Sequence, residues 1–228
     1  MKSRLPARWN VTPAQARRIQ LSLRDRVEPR DRLGKLRRIA GADVALDLVR
    51  GRAIAGVVIY RFPSLEEVER VWAERPLKFP YIPGLLSFRE MPAILAAFER
   101  VVAEPDLIFY DGQGYAHPRR FGIACHLGVA LDCPAIGCAK SRLIGVHAEP
   151  PLEGGAWVPL EDKGERIGAV VRTRTGVKPI YVSTGHRVGL ERAIELVMAV
   201  SGPYRIPRPT RDADHFVGEL KRKQRSRP

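Results

Sequence analysis

Cysteine is scarce in this sequence, and the few that occur form no recognisable pair. There are three cysteines, Cys125, Cys133 and Cys138, which is an odd number, and no two of them stand in a CxxC pattern. A disulfide framework needs paired cysteines, and a structural zinc site needs closely spaced sulfur or histidine ligands. The sequence therefore predicts neither, and we interpret the three cysteines as small core residues.

Long apolar runs and nucleotide-binding loops are missing as well. No uncharged apolar stretch approaches the roughly 20 residues that cross a bilayer, and Met1-Lys2-Ser3-Arg4 leads into no hydrophobic signal core. We therefore expect a soluble, cytoplasmic monomer with no membrane partner. The sequence contains neither a Walker loop nor a GxGxxG fingerprint, so a nucleotide cofactor has little support.

Acidic residues are outnumbered by basic ones. The 228 residues include 39 Lys and Arg against 25 Asp and Glu, which gives a formal charge of +14 and a pI near 10.3. Such a charge predicts a polyanionic partner, with nucleic acid first. A hydrophobic share of 45% suits one α/β core. We expect a single domain over residues 1–220 and a basic, disordered tail over residues 221–228.

Leu107 to Tyr110 are four consecutive apolar or aromatic residues, bounded by a Pro-Asp turn and by Asp111-Gly112. This pattern predicts a strand that is buried on both faces. Asp111 then lies at the carboxyl end of the strand, where open α/β sheets bind their ligands. Taken alone, the stretch leaves open that Asp111 only caps a turn.

The residues that follow predict a second strand beside the first. Residues 119–131 have the pattern of a helix, and residues 133–141 that of a short buried strand that includes Lys140. A strand, a helix and a strand in succession form a βαβ unit, whose two strands are parallel. Asp111 and Lys140 are therefore expected at the same sheet edge.

An earlier pair of strands carries another acid. Residues 39–46 and 53–60 are rich in β-formers and are joined by Arg50-Gly51-Arg52, which predicts a hairpin. Asp43 interrupts the first run. A carboxylate in a buried strand needs a cationic partner; the alternative is that Asp43 faces solvent on an edge strand.

Capping and periodicity signals predict the remaining elements. These are a basic helix at Ala14–Arg26, a helix from Ser64 to about Glu74, a helix at Ala93–Val102 with Glu90 near its start, a loop or short strand at Trp157–Lys163, strands at Arg166–Thr173 and Lys178–Val182, a helix at Val188–Val200, and a short helix beginning near Pro207. His186 is interpreted as a cap or first-turn residue of the helix at Val188–Val200.

A proline-rich loop, Phe79-Pro80-Tyr81-Ile82-Pro83-Gly84, precedes Glu90. Two prolines fix the backbone on either side of Tyr81 and Ile82, so the loop presents an apolar tip that loses little entropy on binding. Apolar side chains of this kind insert between base pairs. The alternative is that Tyr81 packs into the core.

Several carboxylates in so basic a protein suggest a divalent cation between them. Oxygen ligands select Mg²⁺, with Mn²⁺ as a substitute. Such an ion activates water for phosphodiester hydrolysis, and a lysine nearby stabilises the negative transition state. The candidate residues are Asp43, Glu90, Asp111, Lys140, Asp212 and Asp214.

In five ordered motifs the sequence resembles the endonuclease V family. The motifs are Gly41-Ala42-Asp43-Val44, residues 80–90, Asp111-Gly112-Gln113-Gly114 with residues 116–122, Gly137-Cys138-Ala139-Lys140-Ser141, and Gly185-His186-Arg187. The resemblance implies an α/β ribonuclease-H-like fold with a central mixed sheet. It also implies a Mg²⁺-dependent repair endonuclease that recognises deoxyinosine in DNA and cleaves the second phosphodiester bond on its 3′ side.

The resemblance also implies roles for individual residues. Asp43 and Asp111 match the metal-binding aspartates, Glu90 the third active-site acid and Lys140 the catalytic lysine. Tyr81 matches the tyrosine of a strand-separating wedge, with Pro80, Ile82, Pro83 and Gly84 around it; His117 lies beside the active site, and the Gly112–Gly114 backbone suits a flipped base. Asp214 stands where the family places a further acid or a histidine, although His215 makes this alignment ambiguous. Gln113 is assigned no chemistry.

Two alternatives remain open at the level of the sequence. In the first alternative, the substrate is inosine in single-stranded RNA. In the second, the chain is a non-catalytic module that binds nucleic acid without cleaving it. The joint occurrence of Asp43, Glu90, Asp111 and Lys140 argues against the second alternative.

Overall fold

One mixed sheet with helices on both faces organises residues 1–6 and 9–225, which the computed structural model describes. In this part of the chain the elements are α1 (Pro13–Leu23), β1 (Arg38–Asp47), β2 (Arg52–Arg61), β3 (Glu67–Pro76), α2 (Leu86–Phe98), β4 (Leu107–Tyr110), α3 (Ile123–Leu131), β5 (Ala135–Ala139), β6 (Trp157–Asp162), β7 (Glu165–Val171), β8 (Ile180–His186), α4 (Leu190–Ser201) and α5 (Arg208–Arg225). None of these helices is long and apolar enough to cross a membrane.

The strand order places three parallel strands in the middle of the sheet. The order is β3-β2-β1-β4-β5-β8-β7-β6, in which β1 pairs with β4, and β4 with β5, in parallel. The predicted hairpin is β1 and β2, paired antiparallel. The predicted βαβ unit is β4, α3 and β5. The carboxyl ends of β1, β4 and β5 therefore lie at one edge of the sheet.

Alternating side chains of these strands build two hydrophobic layers. Ile108 and Tyr110 of β4 face the layer that contains α2 and α3, whereas Leu107 and Phe109 face the layer that contains α4 and α5. All four are fully buried. The four-residue apolar run is thus explained, because a strand covered on both faces has no position for a polar side chain.

Gly41 lets α5 approach the centre of the sheet. A Cβ atom at Gly41 would lie 1.9 Å from the carbonyl oxygen of Pro209, in the first turn of α5. Any side chain at Gly41 would push this helix away from β1. The close approach sets the place from which Asp214, one turn further along α5, reaches the sheet edge.

The predicted helix from Ser64 to Glu74 is wrong, because this segment is strand β3. Glu67–Pro76 pairs antiparallel with β2 along its length. The capping-box sequence Ser64-Leu65-Glu66-Glu67 favoured a helix. However, the residues that follow also alternate between polar and apolar side chains and include β-branched residues. Hydrogen bonds to the exposed edge of β2 decide between the two patterns, and propensity alone does not include that contribution.

The second helix starts earlier than the sequence predicted. The sequence predicted Ala93–Val102, after Pro92, but α2 is Leu86–Phe98 with Pro92 inside it. Proline lacks only one backbone donor, whereas this helix buries a long apolar face against the sheet. Glu90 therefore lies in the second turn and is buried, and it is not a first-turn acid.

Other element ends also differ from the prediction. The third helix begins at Ile123 rather than at residue 119, since residues 117–120 form a turn in which Arg120 has φ +54°. His186 ends β8 and does not open a helix. Helix α5 runs to Arg225. The expected disordered tail is therefore wrong for residues 221–225, and residues 226–228 lie outside the described residues.

The three cysteines are free and buried, as expected of small core residues. Burial raises the pKa of the Cys125, Cys133 and Cys138 thiols, to about 12 at Cys133. The thiols are therefore neutral at physiological pH and unreactive as nucleophiles.

His126 is a buried histidine enclosed by aromatic rings. Its ring centroid lies 5.1 to 5.6 Å from those of Phe121, Phe88 and Trp9, and its Nδ1 has no hydrogen-bond partner among the described residues. Burial lowers its pKa to about 3. Because the unfolded chain takes up a proton near pH 6.5, the neutral ring contributes stability that is complete above pH 6.5 and is lost as the pH falls toward 3.

We therefore expect His126→Leu to reduce the acid sensitivity of the fold. The measurement is the free energy of unfolding in urea at pH 7 and at pH 4.5. Between these two pH values the native protein should lose on the order of 2 kcal/mol more of this free energy than the variant, since each pH unit between the two pKa values is about 1.4 kcal/mol. His215→Gln, at an exposed histidine, is the control. An equal loss in the native protein and His126→Leu would contradict the expectation.

Candidate active site

Asp43 and Asp111 lie side by side where the pairing of β1 with β4 ends: Asp43 is inside β1, which continues to Asp47, and Asp111 directly follows β4. The parallel register pairs Ala42 with Tyr110, so the next residue of each strand is an aspartate at the same level. The β-sheet spacing of about 5 Å holds the two backbones together. The structure thus brings together two acids that are 68 positions apart in the sequence.

The positive charge near Asp43 and Asp111 does not balance the negative charge of the two carboxylates. Burial and then the charge of Asp111 raise the pKa of Asp43 well above its usual value. Burial also raises the pKa of Asp111, even though Lys140 acts in the opposite direction. None of the ion pairs of the described residues includes Asp43. The edge therefore holds two partly buried acids that repel each other, a situation that a bound cation relieves.

Lys140 follows β5 and reaches both Asp111 and α5. Its Nζ lies 2.5 Å from Asp111 Oδ2 and 3.4 Å from Asp214 Oδ2. Burial lowers the pKa of Lys140, but the hydrogen bond to Asp111 and the charges of Asp111 and Asp214 outweigh this and raise it. Its backbone carbonyl accepts a hydrogen bond from Arg205 at 2.8 Å. The ammonium group is therefore charged and held at the strand ends.

Glu90 approaches the same edge from α2 and is held by Tyr110. The tyrosine hydroxyl donates to Glu90 Oε2 at 2.8 Å. Burial raises the pKa of Glu90 to about 7, and the hydrogen bond from Tyr110 partly offsets this. Tyr110 is fully buried. Sequence reasoning treated it only as part of the strand, and the alternating layers were the signal that could have found it.

The two acids of α5 differ in their surroundings. Asp214 is exposed and lies near Lys140, on the site side. Asp212 instead accepts a hydrogen bond from Tyr60 at 2.8 Å and pairs with Arg208 and Arg211. Asp212 is therefore a structural ion-pair residue, and the structure brings only Asp214 to the carboxylates.

Tyr81 projects into solvent from the loop of residues 80–84, which we call the wedge loop. Its side chain is 69% exposed, so the alternative in which it packs into the core is wrong. His117 Nε2 donates to the Gly84 carbonyl at 2.9 Å, and its Nδ1 accepts the Arg119 backbone N–H at 3.2 Å. Burial lowers the pKa of His117 to about 4. A neutral His117 with its proton on Nε2 thus holds the end of the loop.

A pocket of about 420 Å³ separates the wedge loop from the acids. Ile82, Leu86 and Ile123 form apolar parts of its wall, and Asp111 and Lys140 border it on the site side. Ser87 Oγ and Gln113 Oε1, in two further lining residues, have no hydrogen-bond partner among the described residues. Its size and mixed lining suit a flat heterocyclic ligand.

The donor chemistry of the edge fits a hard divalent cation. The candidate ligands are carboxylate oxygens, which Mg²⁺ and Mn²⁺ prefer. No three such side chains of the described residues are already arranged as a complete metal cluster. Asp43 and Asp111 are therefore the residues that fit best, with Asp214 and Glu90 at the periphery of the site.

Comparison with known proteins places this geometry in a family. Residues 21–215 match the family model for endonuclease V. An endonuclease V from Roseiflexus sp. (strain RS-1) is 52% identical over 206 residues, covering 90% of this chain and 92% of the relative. The crystal structure of endonuclease V from Streptomyces avermitilis is 39% identical, with a TM-score of 0.91 over 99% of this chain and all of that one.

A second similar structure contains nucleic acid. Endonuclease V from Ciona intestinalis, in complex with a 24mer DNA containing an inosine followed by a ribo-adenosine, is 29% identical, with a TM-score of 0.82 over 92% of this chain and 98% of that chain. These neighbours confirm the ribonuclease-H-like fold expected from the sequence.

Proposed function

Because this chain belongs to the endonuclease V family, we propose that it is a DNA repair endonuclease that recognises deoxyinosine. It hydrolyses the second phosphodiester bond on the 3′ side of the lesion and leaves a 3′-hydroxyl and a 5′-phosphate. The observation that carries this proposal is the pair Asp43 and Asp111, separated from an exposed Tyr81 by a pocket for one base. The Ciona relative bound to inosine-containing DNA supports the choice of lesion.

Recognition begins at the wedge loop. Tyr81 enters the duplex at the lesion, and the prolines on either side keep the loop from losing entropy as it does so. Hypoxanthine leaves the stack and enters the pocket, which Gly112 lines beside Asp111. Gly114 instead packs against the Thr184 backbone. The unpartnered Ser87 Oγ and Gln113 Oε1 supply polarity that an ordinary apolar pocket would lack.

Hydrolysis takes place at the strand ends. Asp43 and Asp111 would hold Mg²⁺, with Mn²⁺ as a substitute and with Glu90 and Asp214 as weaker candidates nearby. When bound, the ion supplies a Lewis acid that lowers the pKa of water and stabilises the leaving oxygen. Lys140 adds a fixed positive charge where the transition state gathers negative charge. Arg205 keeps the Lys140 backbone in place through its hydrogen bond to the carbonyl.

The charge of the whole chain supports a nucleic-acid substrate. A net charge of +14 attracts a polyanion over a distance of about 8 Å at physiological salt. Within this positively charged protein there is a local cluster of acidic residues at the site, formed by Asp43, Asp111, Glu90 and Asp214. A phosphate is repelled by such a cluster, so the charge pattern fits a site at which Asp43 and Asp111 would hold a divalent cation that offsets their charge.

The proposed substrate is tested by comparing three labelled oligonucleotides in Mg²⁺. These are duplex DNA with one deoxyinosine, the same duplex with deoxyadenosine, and single-stranded RNA with one inosine. We expect cleavage of the deoxyinosine duplex at least about 100-fold faster than of the adenosine duplex, the size of two favourable recognition contacts. Equal or faster RNA cleavage would reassign the substrate to RNA, and tight binding without product would overturn the nuclease assignment.

A further inference from the structure

Three side chains donate hydrogen bonds to a single backbone carbonyl, that of Gly84 at the end of the wedge loop. The donors are Gln20 Nε2 at 3.0 Å, His117 Nε2 at 2.9 Å and Arg119 NH2 at 2.7 Å. A carbonyl oxygen has two lone pairs, so a third donor exceeds what satisfying this group requires. The arrangement fixes the position of the loop end.

Gln20 comes from α1, which lies outside the sheet. Most of this helix is exposed, yet Gln20 is only 1% exposed. Its Oε1 accepts Arg119 Nε at 2.6 Å, and its Nε2 also reaches the Phe121 carbonyl at 3.2 Å. The amide nitrogen of Gln20 thus binds the wedge loop directly, and its amide oxygen binds Arg119, which also holds that loop. A glutamine that only filled space would not need this set of partners.

The Gly185-His186-Arg187 motif anchors the chain that follows α1. The Glu28 backbone N–H donates to His186 Nδ1 at 3.3 Å, and the Arg187 N–H donates to the Glu28 carbonyl at 2.7 Å. The Arg187 guanidinium also binds the Glu28 carboxylate. Helix α1 is therefore tied to the end of β8 on one side and to the wedge loop on the other.

The wedge loop depends on such support at Gly84. Gly84 has φ +77°, and a Cβ there would lie 2.9 Å from the Arg119 guanidinium. Tyr81, three residues before it, is largely free of contacts. A loop that is held at Gly84 keeps Tyr81 pointed outward before DNA arrives, which lowers the entropy lost on insertion.

From this network we infer that Gln20 is a positioning residue of the wedge loop, acting through the Gly84 carbonyl. The functional consequence rests on the proposed lesion recognition. Loss of the Gln20 carboxamide should make it harder for Tyr81 to insert into a paired duplex. It should have little effect on a single-stranded substrate, in which no strands need to be separated.

Gln20→Met tests this role, because methionine keeps the length and volume but makes none of the three hydrogen bonds of the carboxamide. Gln15→Ala is the matched control, since it removes a capping interaction of the same helix without touching the loop. The first measurement is amide exchange of residues 81–86 by mass spectrometry. We expect exchange to accelerate about tenfold in Gln20→Met and less than twofold in Gln15→Ala, as the loss of one or two hydrogen bonds implies.

The second measurement is nicking of one deoxyinosine in duplex and in single-stranded DNA. In Gln20→Met we expect KM for the duplex to rise about tenfold with kcat nearly unchanged, and the single-stranded reaction to change less than twofold. Gln20→Glu, which keeps an acceptor for Arg119 but loses both donors, should accelerate exchange in the same way even if the Met variant folds poorly.

Unchanged exchange in Gln20→Met and Gln20→Glu would overturn the inference, as would equal acceleration in Gln15→Ala. Equal losses on duplex and single-stranded DNA would also overturn it, because a general loss of folded enzyme produces that result. If no inosine substrate is cleaved by the native protein, the proposed function fails, and the exchange measurement still decides the positioning role by itself.

Discussion

Replacing Asp43 by asparagine is expected to abolish nicking and to stabilise the fold at the same time. Activity should fall at least about 1,000-fold, since Asp43 is proposed to hold the metal ion and losing such a ligand removes several kcal/mol of transition-state stabilisation. Stability should rise because burial and the charge of Asp111 raise the pKa of Asp43, which means that the ionised carboxylate is unfavourable in the folded chain. The amide removes that charge and keeps the shape.

The sign of the stability effect depends on pH. A carboxyl group with a raised pKa in the folded state destabilises the fold at high pH, and the effect disappears as the group becomes protonated. In chelator, where no divalent ion stabilises the native protein, the melting temperature of Asp43→Asn should exceed that of the native protein at pH 8. The gap should narrow as the pH falls.

Asp25→Asn is the matched control for this experiment, because Asp25 is exposed and pairs with Arg24, and it lies beside His186 rather than beside Asp43. It should change neither nicking nor melting. A lower melting temperature of Asp43→Asn at pH 8, or nicking at the native rate, would contradict the assignment of Asp43 to a charged, metal-holding pair with Asp111.

Removing the ring of Tyr81 should weaken lesion recognition more than binding to ordinary DNA. In Tyr81→Ala we expect nicking of a deoxyinosine duplex to fall about 10- to 100-fold, because opening a base step costs a few kcal/mol and the inserted ring offsets part of that cost. Binding to undamaged duplex should change less than about twofold, since it depends on the basic surface. Competition assays and nicking rates measure the two quantities.

Tyr81→Phe separates the ring from the hydroxyl. It should keep most of the nicking rate, because Tyr81 is 69% exposed and is proposed to insert through its ring. Equal losses on deoxyinosine and undamaged DNA in Tyr81→Ala would show that the loop contributes general affinity and not lesion recognition.

The central part of the site could be predicted from local sequence patterns. The apolar run Leu107–Tyr110 and its closing Asp-Gly specify a doubly buried strand and its end, and the helix pattern after it specifies a parallel partner. Once those strands are parallel, Asp111 and Lys140 must share an edge. The shared edge was predicted in this way, whereas the salt bridge between the two side chains at 2.5 Å became visible only in the structure.

Residues that act through long-range contacts could not be predicted in this way. Arg205 holds the Lys140 carbonyl from 65 positions away, and Gln20 reaches Gly84 across 64 positions. Neither has a sequence signal, because an isolated arginine or a helical glutamine is common on any surface. Only the packed fold brings these side chains to their carbonyls.

The error at β3 has a similar origin. Its sequence carries a capping box and an alternating pattern together, and the helical interpretation is reasonable for the segment in isolation. Pairing with β2 along Glu67–Pro76 satisfies its backbone groups and covers an exposed strand edge. That contribution belongs to the sheet and not to the segment.

The most direct test is a gel assay on end-labelled duplex DNA with one deoxyinosine, using the native protein and Asp111→Ala in Mg²⁺ and in chelator. We expect a single nick at the second phosphodiester bond 3′ to the lesion, present only with Mg²⁺ and only with the native protein. Cleavage in chelator, or at the native rate by Asp111→Ala, would contradict a metal-dependent nuclease built on the aspartates at the strand ends.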